Sequence, residues 1–127
     1  MIIDDPATKA EVQARFEAYE TALMTNDLAA LDDFFWPSPL ALRFGAGESL
    51  FGFDAIAAFR LSRGGSPQRT LRNTQITSFG PAHAVATTEF SRAGEPRTGR
   101  QTQVWVKFPD LGWRIVSAHV SLVAEKS

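Results

Sequence analysis

The chain is 127 residues long, 44% hydrophobic, and carries a formal net charge of -1. That is enough for one domain with a buried core, and the near-neutral balance excludes the clustered basic excess that nucleic acid or an anionic membrane surface demands. The lack of cysteine removes disulfides, thiol nucleophiles and cysteine metal sites, and fits a reducing compartment.

The start, "MIIDDPATKA", is acidic and lacks the apolar core of a signal peptide. No apolar run reaches the roughly 18 residues of a membrane span, so a soluble, cytoplasmic protein of one domain over residues 1–127 is expected. "KAEVQARFEAYETALMTNDL" sets Val12, Phe16, Tyr19 and Leu23 on one face of a helix. Asp5 or Thr8 can cap it, with Pro6 in the first turn. Asn26-Asp27 breaks it and opens a second helix, "DLAALDDFFW", which Pro37 and Pro39 close. "LALRFG" and "SLFGF" are short strands joined by "GAGES". Asp54 is the expected N-cap of a third helix, "DAIAAFRLSR", ended by "GGSP".

The second half reads as strand. "TLRNTQITSFG", "HAVATTEFSR", "RQTQVWVKFP" and "GWRIVSAHVSLVA" are rich in β-branched and aromatic residues, and "GPA", "AGEPRTG" and "PDLG" turn the chain between them. Short connections mean an antiparallel meander. Helices followed by long antiparallel strands predict an α+β fold, with helices packed on one face of a curved sheet and a pocket at its open end.

Arg43 stands within the apolar run "SPLALRFGAGESLFGF". It either reaches water from a strand edge or serves as a fixed guanidinium for a carboxylate. Tyr19, the single tyrosine, lies on the apolar stripe of the first helix. It is either a core aromatic or a buried phenol donating into a pocket. Together the two would recognise a small anion that carries a carbonyl.

Strand alternation places Gln101, Gln103 and Trp105 on one face, and Trp113, Ile115, Ser117, His119 and Ser121 on one face of the last strand. These mixed faces suit a small polar ligand, a solvated surface or a dimer contact. Glu48, Arg60, Arg63, Glu89 and Arg100 are further charged candidates. His83 and His119 with scattered carboxylates show no metal-ligand spacing, and no phosphate-binding glycine loop or nucleophile elbow is present.

The blocks "YETALMTNDLAALDDFFW", "RFGAGESLFGFDAIAAFR", "RNTQITSFG", "TTEF", "GRQTQVWVK" and "GWRIVSAHVSLV" resemble the AtzH-like group. That group sits within the SnoaL-like, or nuclear-transport-factor-2-like, cone fold shared with ketosteroid isomerase. The resemblance implies a small homo-oligomer, a homodimer or larger, associated with amidase-signature enzymes in nitrogen-compound catabolism. It implies a cofactor-independent, amidohydrolase-type activity on a small anionic ureido or amide acid, such as 1,3-dicarboxyurea or oxalurate. Matched by block, the family's helix-1 tyrosine falls on Tyr19 of "FEAYE" and its strand arginine on Arg43 of "LRFG".

In that reading Tyr19 and Arg43 are catalytic, and His119, Gln101, Gln103, Trp105, Ser121, Glu48 and Arg60 bind substrate. No residue is assigned as the general base, for which Glu48, Glu89 and His119 are the nearby candidates. Ketosteroid isomerases carry a carboxylate base on the strand after helix 2, where "PLALRFG" offers arginine instead. Isomerase chemistry is therefore the less favoured alternative, beside a non-catalytic ligand-binding protein or amidase accessory.

Overall fold

In a computed structural model, which describes residues 1–124, Asp5 opens helix α1 (Pro6–Met24). Its carboxylate accepts hydrogen bonds from the Thr8 amide and hydroxyl, both at 3.1 Å. Val12, Phe16, Tyr19 and Leu23 are buried along one face, with Thr8 and Ala22 beside them. Each large apolar side chain contributes on the order of 2 kcal/mol on burial, against about 1 kcal/mol for the cap. Packing, not capping, holds α1. Asp5→Ala is accordingly expected to cost only about 1 kcal/mol, read as a lower urea midpoint with an unchanged slope.

Asp27 caps α2 (Leu28–Phe34), accepting from the Ala30 amide at 3.2 Å. This helix ends at Phe34 rather than Trp36, because Phe35 turns extended and bridges Ile115 of the sheet. Strands β1 (Leu42–Phe44) and β2 (Ser49–Phe51) form the short hairpin, and α3 (Phe53–Arg63) follows. Gly52 is the N-cap of α3, not Asp54, which lies in the first turn. Gly52 has φ 93° and sits against the Pro39 backbone, so a side chain there would be both strained and crowded.

Strands β3 (Arg69–Phe79), β4 (His83–Arg92), β5 (Glu95–Phe108) and β6 (Gly112–Leu122) form the expected antiparallel meander. β5 starts at Glu95, earlier than "RQTQ" suggests, because Ala93-Gly94 alone makes the turn and Arg92 pairs with Glu95. Pro96 is tolerated because β6 pairs with β5 only from Gly99 onward. The sheet order is β2-β1-β6-β5-β4-β3. β1 runs parallel to β6, with Arg43 opposite Ala118.

Among the described residues, three helices cover one face of this curved sheet, giving the predicted α+β architecture. The core joins the α1 stripe and Leu31, Phe34 and Phe35 to Ile76, Ala84, Ala86, Trp105, Trp113 and Ile115 of the sheet. None of the described helices is long and apolar enough to cross a membrane.

A bulge in β6 corrects the sequence-based alternation. Val104 pairs with Ser117 and Trp105 with Ile115, so Val116 is an extra residue on β6. Trp113 and Ile115 face the core, and past the bulge the inward residues become Ala118 and Val120. Ser117, His119 and Ser121 therefore turn to the outer face, away from Gln101, Gln103 and Trp105. One inserted residue exchanges the two faces, because side chains alternate with a period of two.

Candidate functional site

The parallel register decides where Arg43 points. Its partner Ala118 is an inward, buried residue of β6, so Arg43 also projects to the inner face. Leu42 and Phe44 project outward, and the Phe44 ring meets the His119 imidazole edge-on at 5.7 Å. α1 brings Tyr19 to the same side, 5% exposed, with its ring edge against Phe34 at 5.6 Å and Phe35 at 6.3 Å. α3 supplies Ile56, Phe59, Arg60 and Arg63 from one helical face. These six residues, Tyr19 and Arg43 included, line a narrow, closed recess with no space for a water-sized molecule.

Three arginines converge on the recess, two of them paired with a carboxylate, Arg43 with Glu48 and Arg60 with Asp32. Arg60 is 4% exposed, donates to Asp32 at 2.7 Å, and lies 5.2 Å from the Phe35 ring centre. Burial holds its guanidinium below the usual arginine range, with Arg43 adding to the effect while Tyr19 and Asp32 oppose it. Burial lowers Arg63 likewise, and the Arg43 charge beside it contributes next. Arg63 Nε is buried without a hydrogen-bond partner among the described residues. Arg43 and Arg63 both lie over the Phe59 ring, at 5.7 and 5.4 Å. Since arginine stays protonated, the lowered values mark charge held at a cost, which an entering anion would offset.

Of the residues the sequence singles out, the structure brings Tyr19, Arg43, Arg60 and Arg63 together. Glu48 stands at the edge of this group, 2.9 Å from Arg43. Gln101, Gln103 and Trp105 lie on the inner face but do not line the recess. Gln101 accepts from Arg69 at 3.0 Å, and its Nε2 is buried without a partner among the described residues. Gln103 accepts from the Trp105 indole at 3.2 Å, and Trp105 is fully buried against Phe34. His119 and Ser121 lie on the outer face, in a shallow groove beside Gly45, Ala46 and Gly47. Glu89 accepts from Asn73, and Arg100 and His83 are exposed.

Arg63 is the recess residue that sequence reasoning left among general charged candidates. The signal was present: Ile56, Phe59, Arg60 and Arg63 share one face of α3. What it lacked was a reason to aim that face at Tyr19, which only the packing of α3 supplies.

The AtzH-like family model matches residues 1–126. A search of curated proteins finds no match. Among solved structures, a protein of unknown function of the DUF3225 family from Pectobacterium atrosepticum is 50% identical. It covers 96% of this chain and 95% of its own, with a TM-score of 0.93. A cystatin-like fold protein from Burkholderia xenovorans is 41% identical over 99% of both chains, with a TM-score of 0.95. A nuclear-transport-factor-2-like protein from Salmonella enterica is 27% identical, covering 95% of this chain and 94% of its own, with a TM-score of 0.77.

Proposed function

Because the chain belongs to the AtzH-like family of nuclear-transport-factor-2-like proteins, we propose that its recess binds a small anionic ureido or amide acid and cleaves it. The observation that carries this reading is the convergence of Arg43, Arg60 and Arg63 with the Tyr19 phenol in one recess. Arg43 takes a ligand carboxylate through paired N–H donors. Tyr19 donates to the ureido carbonyl, or to the oxyanion that develops from it. Arg60 and Arg63 supply the field that favours an anion over a neutral amide.

The lining residues bear on which bond breaks. Tyr19, Arg43, Ile56, Phe59, Arg60 and Arg63 include no carboxylate or imidazole to act as a base. Loss of carbon dioxide from an N-carboxylate asks instead for a proton at nitrogen, as the N–C pair stays on nitrogen when carbon dioxide departs. The Tyr19 hydroxyl donates that proton, the arginines beside it stabilise the phenolate left behind, and the phenolate regains a proton from water as the products leave. This favours decarboxylation of a compound such as 1,3-dicarboxyurea over hydrolysis of its amide bond, within nitrogen-compound catabolism. The missing base equally supports a second reading, a non-catalytic protein that captures a labile acid beside an amidase-signature partner.

The test is carbon dioxide and ammonia release from 1,3-dicarboxyurea and from oxalurate by the wild-type protein. Catalytic release of carbon dioxide supports the enzyme. Saturable binding without release supports capture, and neither binding nor release overturns both.

Assembly is part of the proposal. The face of the sheet opposite the helices carries Val85 and Val104 in register, with Val106 two residues on. All three are partly exposed. A second copy of the chain would cover them. Light scattering is expected to give a homodimer or larger for the wild type and a smaller species for Val104→Glu. A monomeric wild type would contradict the assembly.

A further inference from the structure

We infer that Glu48 is an internal carboxylate seated in the ligand's place on Arg43, that it must swing out for an acid to bind, and that Gly45 provides the clearance that lets it dock. This rests on the proposed reading of Arg43 as the ligand's carboxylate anchor.

The hairpin geometry carries the inference. Glu48 follows the exposed tip Ala46-Gly47, where a glutamate would ordinarily extend into water. Here the side chain folds back and is only 24% exposed. Oε1 accepts from Arg43 Nη1 at 2.9 Å, and Oε2 accepts from the Gly47 amide at 3.3 Å. The turn itself is closed by the backbone, Gly45 N–H to Glu48 carbonyl at 2.9 Å. The turn therefore does not require the carboxylate to sit where it does.

Residue 45 makes the position possible. A β-carbon there would overlap the Glu48 carboxylate, and the Gly45 backbone is not in the left-handed region. Glycine is thus demanded by space and not by conformation. Any side chain at 45 would evict the flexible end of Glu48 from Arg43 while leaving the turn's own hydrogen bond available. The Glu48 charge is also felt at Arg63, so the docked carboxylate partly neutralises the recess that a ligand would enter. The recess has no space for a water-sized molecule, so a ligand reaches Arg43 only when side chains around it move.

The consequence is selectivity. An acid that offers Arg43 only a carboxylate must first displace Glu48, and gains correspondingly less there. A ligand must also engage Tyr19 or Arg63 to bind. A partly exposed ion pair biases the docked state by about five- to tenfold, and apparent affinity falls by the same factor. Acetate should bind the wild type poorly, whereas oxalurate, with an amide carbonyl and a ureido group besides its carboxylate, can displace Glu48.

The experiment is calorimetric titration of oxalurate and acetate into the wild type, Glu48→Gln, Gly45→Ala and Arg43→Met, with a melting curve for each. Glu48→Gln and Gly45→Ala are expected to bind oxalurate five- to tenfold more tightly and to gain measurable acetate binding, while Arg43→Met binds neither. Wild-type or weaker oxalurate affinity in both Glu48→Gln and Gly45→Ala overturns the inference. If Arg43→Met still loses binding in that case, the anchor reading survives without the gate. Oxalurate binding that persists in Arg43→Met, or is absent from all four proteins, overturns both.

Discussion

Arg43→Met is expected to weaken oxalurate binding by about thirtyfold, with little change in melting temperature. Two charge-assisted hydrogen bonds to a ligand carboxylate are each worth about 1.5–3 kcal/mol, so the fork is worth about 3 kcal/mol, of which displacing Glu48 from Arg43 takes back about 1 kcal/mol in the wild type. Methionine keeps most of the side chain's length and its contact with Phe59 while deleting the charge. The Glu48 carboxylate it strands is partly exposed and can turn to water, so the folding cost stays below about 1 kcal/mol. Tyr19→Phe should show the complementary signature. Binding is retained within a few-fold, while turnover falls about a hundredfold, the usual loss when one donor to a developing charge is removed. Equilibrium titration and initial-rate measurements separate the two. A Tyr19→Phe protein with undiminished turnover would remove the phenol from the chemistry, and Arg43→Met with unchanged affinity would remove the anchor.

Trp105→Ala is expected to cost about 3–5 kcal/mol, a large share of the roughly 5–15 kcal/mol that holds a domain together. Trp105 is fully buried, meets Phe34 edge-on at 6.3 Å, and satisfies Gln103 through its indole N–H. Deleting the ring opens a cavity and leaves the Gln103 oxygen buried without its donor. The measurement is the urea midpoint. Trp105→Phe separates packing from ligand contact: it should lose stability by about 1–3 kcal/mol yet keep oxalurate affinity, because Trp105 does not line the recess. A tenfold loss of affinity in a folded Trp105→Phe protein would return the tryptophan to the binding site.

Local signals located much of this molecule. The α1 stripe reads directly, because Val12, Phe16, Tyr19 and Leu23 recur at helical spacing and the core needs one apolar face. Tyr19 and Arg43 stood out as a lone phenol on an apolar stripe and the one arginine of a largely apolar run, and both line the recess. The alternation of β5 put Gln101, Gln103 and Trp105 together on one face, and the fold makes that face the inner one. It did not reveal that Trp105 and Gln103 satisfy each other under α2 instead of facing a ligand. His119 and Ser121 went astray for a definite reason. A bulge costs one residue of register, and nothing in "RIVSAH" marks Val116 as the inserted one.

By itself the sequence determined the elements and their polarity, since helix and strand periodicities are properties of neighbours a few residues apart. It therefore specified an α+β chain with an apolar helix laid on a meander, and it named the phenol and the guanidinium. Tertiary structure alone decided which way that guanidinium points. β1 is too short to choose a face from its own pattern. Its parallel pairing with β6, beyond the bulge and opposite Ala118, turns Arg43 inward to meet Tyr19 and the arginines of α3. Long-range register cannot be read from local spacing, because it depends on which strands meet, and that is fixed only when the whole sheet closes over its core.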